Sequence, residues 1–304
     1  MPGVSEAMFI GIDWGTSNGR FMLVADDGCV LEQRSAPGIA KFAGASAIED
    51  ACFAAISGWL DVYGMLPVIM VGTVGSNIGW HPVGYVPVPA TLDAVISRVV
   101  RFEARGVTFH LLPGVDTQGS DGLPDVMRGE ETQIFGALDD ARALVCLPGT
   151  HAKWVQVDGG VITRFHTAMT GELIDIIGRG SILLNPKRAP AAIIGDAFRD
   201  GVRTVRDHAT GLEVLLFSVR SRQIAGMLSN GDAESYLTGL CIGADVRSAL
   251  AMIPDQQSVT LIGSPILCGL YGEALMMFGR TSQVIDGDRA VVDGLCQAYR
   301  MLMQ

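Results

Sequence analysis

The sequence predicts a duplicated α/β protein: two lobes, each a mixed sheet flanked by helices, facing one another across a cleft. Three observations carry that expectation. First, an apolar strand from Phe9 ends in Asp13-Trp14-Gly15-Thr16-Ser17-Asn18. A second apolar strand follows (Phe21 to Ala25), then the turn Asp26-Asp27-Gly28 and a third strand opening Cys29-Val30-Leu31. Second, the pattern recurs from Ala143 to Phe165. Leu144-Val145-Cys146-Leu147 runs into Pro148-Gly149-Thr150-His151, then a strand around Trp154-Val155-Gln156-Val157, then Asp158-Gly159-Gly160 and Val161-Ile162. Third, strand-length apolar runs alternate with helical periodicity after each opening. Short strands separated by Asp-Gly or Gly-Gly are hairpin signals, and strand–helix alternation builds sheets covered by helices.

The elements follow in order. Ile48, Cys52, Ala55, Ile56 and Trp59 fall on one helical face. Val68-Ile69-Met70-Val71 is a buried-strand run ending at Gly72. Leu92, Val95, Ile96, Val99 and Val100 mark another amphipathic helix, Val107 to Leu112 a strand, and Arg128 to Asp139 a helix. In the second half helices are expected across Asp232 to Met252, Glu273 to Phe278 and Ala290 to Leu302. Short strands are expected at Val259 to Ile262 and near Val284. Ser181 to Ala192, with its prolines and basic residues, reads as an exposed loop.

Composition bounds the function classes. At 304 residues the chain suits about two domains, each large enough for its own core. A hydrophobic content of 49% with 18% charged residues describes a packed globular protein. The mean hydropathy is positive at +0.35, yet no apolar run reaches transmembrane length, and no signal peptide is evident. The cysteines Cys29, Cys52, Cys146, Cys241, Cys268 and Cys296 are scattered without a C-x-x-C pair, mostly in apolar segments, which suits a reducing cytosol. A net charge of −10 argues against broad nucleic-acid or anionic-membrane binding. It leaves an anionic small molecule open, because backbone amides and local basic groups can hold one.

A Gly-Thr turn at the mouth of each hairpin exposes N–H groups and a hydroxyl, the donors that a phosphate chain needs. A single such turn is also an ordinary hairpin turn with an Asx bond; the second copy favours the nucleotide site.

The residues then resemble a family. Ile10-Gly11-Ile12-Asp13-Trp14-Gly15-Thr16-Ser17-Asn18-Gly19-Arg20 is similar to the first phosphate motif of the superfamily of sugar kinases, hexokinase, actin and Hsp70, and Pro148-Gly149-Thr150-His151-Ala152-Lys153-Trp154 to its second. Val74-Gly75-Ser76-Asn77-Ile78-Gly79-Trp80, Val126-Met127-Arg128-Gly129-Glu130-Glu131-Thr132-Gln133 and Met169-Thr170-Gly171-Glu172-Leu173 narrow the resemblance to the 2-dehydro-3-deoxygalactonokinase family. The match runs in order over nearly the whole chain. It implies duplicated RNase H-like (actin-like ATPase) domains with the active site in the interdomain cleft. It also implies phosphorylation of 2-dehydro-3-deoxy-D-galactonate on its 6-hydroxyl by ATP and Mg²⁺, in galactonate and galactose catabolism.

Residue roles follow from that resemblance and from the chemistry. Phosphoryl transfer is mostly positioning and charge neutralisation. Asp13, at a strand end, is the expected Mg²⁺ ligand. Gly15, Thr16, Ser17 and Asn18 are expected at the phosphates; Arg20 either adds charge there or simply begins the second strand. Gly149, Thr150 and His151 form the facing clamp, and alternation along a strand puts only one of Lys153 and Trp154 inward. Related kinases place an aspartate after a glycine at the start of the helix joining the domains. Here Gly129 is followed by Glu130 and Glu131, of which Glu130, next to the glycine, is the chosen base. Acidic residues also suit a helix start through its dipole alone.

For the acceptor, Ser76, Asn77 and Trp80 follow a strand end, with Trp80 either against the sugar or in the core. Arg128 is the candidate for the carboxylate, and Thr170 or Glu172 for the sugar. Leu261-Ile262-Gly263-Ser264-Pro265 resembles the adenosine segment, giving Gly263 and Ser264, although Pro265 removes an amide donor. Ala290 to Gly294 resembles the small-residue helix at the interdomain hinge, whose closure would exclude water.

The resulting expectation is a cytoplasmic ATP-dependent sugar-acid kinase with an N-terminal domain over 1–128 and a C-terminal domain over 129–304. The last helix is allowed to pack back at the hinge. Its partner is a small-molecule sugar acid, with no nucleic acid and no membrane, and a homodimer is left open. The alternatives are a kinase of the same fold for another sugar or keto-deoxy acid, a non-catalytic sensor, or a phosphatase or ATPase.

Overall fold

The computed structural model describes residues 7–118, 122–138, 142–184, 194–252 and 257–304. The chain opens with β1 (Ala7–Trp14), β2 (Asn18–Ala25) and β3 (Val30–Pro37), paired antiparallel in sequence order. Helix α1 (Ala45–Tyr63) leads to β4 (Val68–Val71), which lies parallel to β1. Next come β5 (Tyr85–Pro87), α2 (Leu92–Ile96), β6 (Val100–Ala104), β7 (Val107–Leu111), β8 (Gly114–Gln118), β9 (Pro124–Met127) and α3 (Glu130–Ala137). The second round starts with β10 (Ala143–Leu147), β11 (Ala152–Asp158) and β12 (Val161–Ala168). It continues through α4 (Thr170–Gly180), α5 (Asp196–Asp207), α6 (Leu212–Leu215), α7 (Phe217–Ile224) and α8 (Ala233–Met252). It closes with β13 (Ser258–Gly263), α9 (Pro265–Met277), β14 (Thr281–Asp286) and α10 (Gly287–Leu302).

Strand order exposes the duplication. The first sheet runs β3-β2-β1-β4-β7-β6 and the second β12-β11-β10-β13-β14, with β4 parallel to β1 and β7, and β13 parallel to β10 and β14. This is the expected duplicated actin-like α/β architecture with mixed sheets flanked by helices. A small sheet, β5-β8-β9, is added in the first half. The chain divides into two compact units. One comprises Met1–Arg142, Gln156–Phe165 and Gly287–Gln304, and the other Ala143–Val155 and His166–Asp286.

In the first unit Ile10, Ile12 and Trp14 on one face of β1 pack with Ile48, Cys52, Ile56 and Trp59 of α1. On its other face Phe9 stacks on Tyr299 of α10 at 4.7 Å, and Gly11 leaves room for Leu295. Both faces are covered, so β1 reads as a nearly unbroken apolar run rather than an alternating one. Each such buried Ile or Phe contributes roughly 1.5–3 kcal/mol over an exposed one. In the second unit Leu144, Cys146 and Trp154 pack with Phe198 and Val202 of α5, Ile242 and Val246 of α8 and Leu270 and Leu275 of α9.

Some expected elements differ: the helix read from Glu273 to Phe278 already begins at Pro265. The helix read from Leu92 to Val100 stops at Ile96, and Val100 opens β6. Val99 and Val100 continue a helical spacing by chance, and pairing of β6 with β7 overrides it. The exposed loop or insertion expected across Ser181 to Ala192 lies from residue 185 onward outside the described residues, and the helix expected over Arg128 to Asp139 spans Glu130–Ala137, with Leu138 already extended. Among the described residues no helix is long and apolar enough to cross a membrane.

Candidate active site

Asp13 lies on the α10-facing side of β1, in step with Phe9 and Gly11. Its Oδ2 accepts from Arg20 Nη2 at 2.5 Å, and Arg20 Nη1 donates to Asp288 at the start of α10. Arg20, expected among the phosphate ligands, is therefore taken up by two carboxylates and fixes the pose of Asp13. Oδ1 of Asp13 looks toward a junction of backbones. A Cβ on Gly72 would lie 3.3 Å from it, and one on Gly129 would lie 4.0 Å from it and 3.4 Å from Gly72 Cα. Both glycines have positive φ, 96° and 104°, a region that side-chain-bearing residues rarely adopt. The ends of β1 and β4 and the start of α3 meet where only bare backbone fits.

The turn after Asp13 is held by its carbonyls. Those of Gly15, Thr16 and Ser17 accept from Ile39, Ala40 and Gly38 at 3.0, 3.2 and 2.9 Å, and Gly15 N–H donates to Asn18 O at 2.9 Å. The N–H groups of Thr16 and Ser17 take no partner among the described residues, and Thr16, Ser17 and Asn18 are exposed. Thr16 Oγ1 lies 3.0 Å from Thr73 Oγ1, which links this turn to the loop after β4.

The two glutamates separate clearly. Glu131 is 1% exposed, and both its oxygens accept from Gly129 N–H, at 2.9 and 2.8 Å. Thr132 Oγ1 adds a donor at 3.2 Å. Burial, helped by the neighbouring Glu130 charge, pushes the Glu131 carboxyl up to about 8. Glu130 is half-buried, with Oε2 accepting from Arg128 N–H at 3.0 Å. Glu131 thus closes the start of α3 from inside, while Glu130 keeps a solvent-facing part.

Arg128 stacks 4.3 Å over the Tyr85 ring and donates from Nη2 to Val83 O at 2.9 Å; its Nε and Nη1 are buried without a hydrogen-bond partner. A Cβ on Gly75 would lie 3.0 Å from Nη1, so the guanidinium sits beside the segment carrying Ser76 and Asn77. Asn77 is exposed, and Ser76 Oγ accepts from Ile78 N–H at 3.4 Å. Trp80 is 6% exposed, edge-on to Phe102 and Phe109 at 5.2 and 4.9 Å. It is a core aromatic, with almost no ring left for a sugar.

In the second unit three element ends gather at the second Gly-Thr turn. Glu172 N–H donates to Thr150 O at 3.0 Å, and a Cβ on Gly171 would stand 2.4 Å from Gly149 O, so α4 begins directly on the turn. Gly263 approaches Pro148, and Ser264 caps α9, its Oγ accepting from Leu267 N–H at 3.4 Å. Pro265 falls at the first helical position, where its missing N–H costs nothing. His151 Nε2 lies 2.5 Å from Glu172 Oε2. Thr170 and Glu172, expected at the sugar, are bonded around this turn, Thr170 to Asp245 and Glu172 to His151. Lys153 and Trp154 are both buried, against the expected alternation, because both faces of β11 are covered.

Sequence reasoning missed Thr73, Asp288 and above all Asp245 of α8. Asp245 is 7% exposed, and burial raises its carboxyl above the usual range. It accepts from Trp154 Nε1 at 2.8 Å, Thr170 Oγ1 at 2.8 Å and Tyr271 Oη at 2.6 Å. The signal was present: an acid inside the otherwise apolar run Leu240-Cys241-Ile242-Gly243-Ala244-Asp245-Val246.

The family described as 2-keto-3-deoxy-galactonokinase matches the chain over residues 13–298. The "Probable 2-dehydro-3-deoxygalactonokinase" of Rhizobium meliloti (strain 1021) is 38% identical over 302 residues, covering 97% of each chain. The 2-dehydro-3-deoxygalactonokinase of Escherichia coli (strain K12) is 34% identical over 291 residues, covering 95% of this chain and 96% of its own. A crystal structure from Sinorhizobium meliloti, described as a 2-dehydro-3-deoxygalactonokinase protein, superposes with a TM-score of 0.87 at 35% identity, over 97% of this chain and 99% of that one. The activator of 2-hydroxyisocaproyl-CoA dehydratase from Clostridium difficile shares the fold alone, with a TM-score of 0.52 at 10% identity over 97% of this chain and 95% of its own.

Proposed function

Because the chain belongs to the 2-keto-3-deoxy-galactonokinase family, we propose that it transfers the terminal phosphoryl group of ATP to the 6-hydroxyl of 2-dehydro-3-deoxy-D-galactonate, giving ADP and 2-dehydro-3-deoxy-6-phosphogalactonate. The observation that carries this reading is the junction of Asp13, Gly72 and Gly129, with Glu130 as the next residue. It supports reading Asp13 as the carboxylate for the metal and the half-buried Glu130 as the base.

Glu130 orients the acceptor hydroxyl and takes its proton as the phosphoryl group leaves ATP. Arg128 Nε and Nη1, buried donors without a partner, supply what a sugar-acid carboxylate needs, with Ser76 and Asn77 beside them for hydroxyls. The N–H groups of Thr16 and Ser17 take phosphate oxygens, as do the second Gly-Thr turn and the starts of α4 and α9. The donor chemistry fits Mg²⁺. That ion keeps several waters and needs one or two carboxylates beside substrate phosphates, and Asp13 offers Oδ1 while Oδ2 is held by Arg20. When bound, Mg²⁺ neutralises charge on the phosphates. The unpaired cysteines among the described residues support a cytoplasmic setting.

The test is ATP consumption by the purified protein with 2-dehydro-3-deoxy-D-galactonate, its gluconate epimer, simple hexoses, or no acceptor. Strong turnover with the galactonate compound alone is expected. Turnover with another acceptor moves the substrate assignment; ATP binding without turnover on any acceptor refutes the kinase reaction.

A further inference from the structure

Asp245 is a buried acid that the proposed reaction leaves unused, and its contacts lead to the second Gly-Thr turn. Asp245 sits in the middle of α8, where an unpaired buried carboxylate would be costly. Its Oδ1 takes Trp154 Nε1–H from β11; its Oδ2 takes both Thr170 Oγ1–H from the first residue of α4 and Tyr271 Oη–H from α9. All three donors are nearly fully buried. Neither α4 nor α9 has any other carboxylate bonded to it at this depth among the described residues. The two helices so tied are the two whose starts lie on the turn. α4 touches Gly149 and Thr150 through Gly171 and Glu172 N–H, and α9 follows Gly263, which lies against Pro148. β11, the third element tied, leaves that turn directly.

We propose that Asp245 is a positioning residue for nucleotide binding. By clamping Thr170, Trp154 and Tyr271 to one carboxylate, it holds the start of α4 and the Gly149-Thr150 turn in the geometry that receives the phosphates. The inference rests on the nucleotide role given to that turn. A buried charge suits this use better than an apolar contact, because a carboxylate fixes the direction of three donors at once. The clamp acts through backbone position, so it bears on ATP and not on the acceptor.

The experiment measures ATP affinity by calorimetric titration, alongside thermal melting and steady-state kinetics, for wild type and the variants Thr170→Val, Thr170→Ser and Tyr271→Phe. Thr170→Val keeps the shape and removes one donor; Thr170→Ser restores it. The expected result is an ATP Kd raised about tenfold in Thr170→Val, by less in Tyr271→Phe, and by less than about twofold in Thr170→Ser, with the acceptor KM unchanged; a tenfold change is the scale of one hydrogen bond to a charged group. Should Thr170→Val fail to fold, Tyr271→Phe against wild type carries the comparison. Lower melting temperatures with ATP affinity unchanged in Thr170→Val and Tyr271→Phe would overturn the proposal and leave Asp245 a purely structural acid. Wild type failing to bind ATP would overturn both the proposal and the nucleotide reading beneath it, and wild type alone tells that case apart.

Discussion

Two adjacent glutamates with the same side chain end in opposite circumstances, and the difference is testable. Glu130 keeps contact with solvent while Glu131 is sealed against Gly129 N–H and Thr132. Glu130→Gln removes the base and is expected to lower turnover about 10²-fold or more with ATP affinity retained, the usual scale for general-base loss. A comparable loss in Glu131→Gln, with Glu130→Gln near wild type, would reverse the assignment. Glu131 has its own signature in stability. Its carboxyl moves from the usual 4.5 to about 8 on folding, so the native state holds a proton that the unfolded chain has released. Stability therefore falls as pH rises from about 4.5 toward about 8, by on the order of a few kcal/mol. Glu131→Gln should flatten that slope in urea unfolding followed across the window; an unchanged slope would place the titration elsewhere. Sequence spacing could tell that only one of the pair faces outward, but not which. The choice depends on which of the two is buried in the fold, and spacing alone does not carry that.

At the scale of elements, α3 owes its position to α10. A Cβ on Gly136 would stand 2.0 Å from Ala290 O, and one on Gly294 would stand 2.1 Å from Thr132 O, so the two helices cross backbone to backbone. Gly294→Ala must push them apart, at an expected ~1–3 kcal/mol in unfolding free energy. Turnover should fall as well, because α3 begins at Glu130. Gly84→Ala, with nothing within 4 Å of the new methyl group, is the control and should stay within about 0.5 kcal/mol. Equal effects in the two would mean that the crossing relaxes freely. The elements were legible to unequal degrees for physical reasons. The hairpins announced themselves because their turns need positive φ, and Gly28, Gly159 and Gly160 supply it. The stripe Phe198, Val202 and Val205 of α5 was present to be read. The small sheet of β5, β8 and β9 was not, since its strands are three to five residues long and owe their form to each other. Alternation failed at Lys153 and Trp154 because it presumes one wet face, and the first four residues of β11 are buried on both faces.

For the whole molecule the duplicated strand order accounts for having two Gly-Thr turns, and the charge balance bears on the nucleotide role proposed for them. The chain carries −10 overall, while ATP and a sugar acid are both anions. Of the cations near the turns, Arg20 is bonded to Asp13 and Asp288, Lys153 Nζ donates to His151 O at 3.2 Å, Arg128 is engaged only in part, with Val83 O and Tyr85, and Lys41 beside the first turn is exposed. On the proposed reading the phosphates go to backbone N–H groups and helix starts, which act within the first turn of a helix and not at long range, and the acceptor carboxylate goes to the buried Arg128. An enzyme steered by a positive field loses tenfold or more in kcat/KM as salt screens that field. Here the long-range field is repulsive. Raising salt, with a Debye length shrinking to about 8 Å at physiological strength, removes repulsion as fast as it weakens any attraction. With Mg²⁺ held saturating, kcat/KM for the acceptor is expected to stay level or rise, by no more than about threefold on the scale of such field effects, between low and physiological ionic strength. A steep fall instead would mean that a basic surface, and not short-range donors, gathers the substrates.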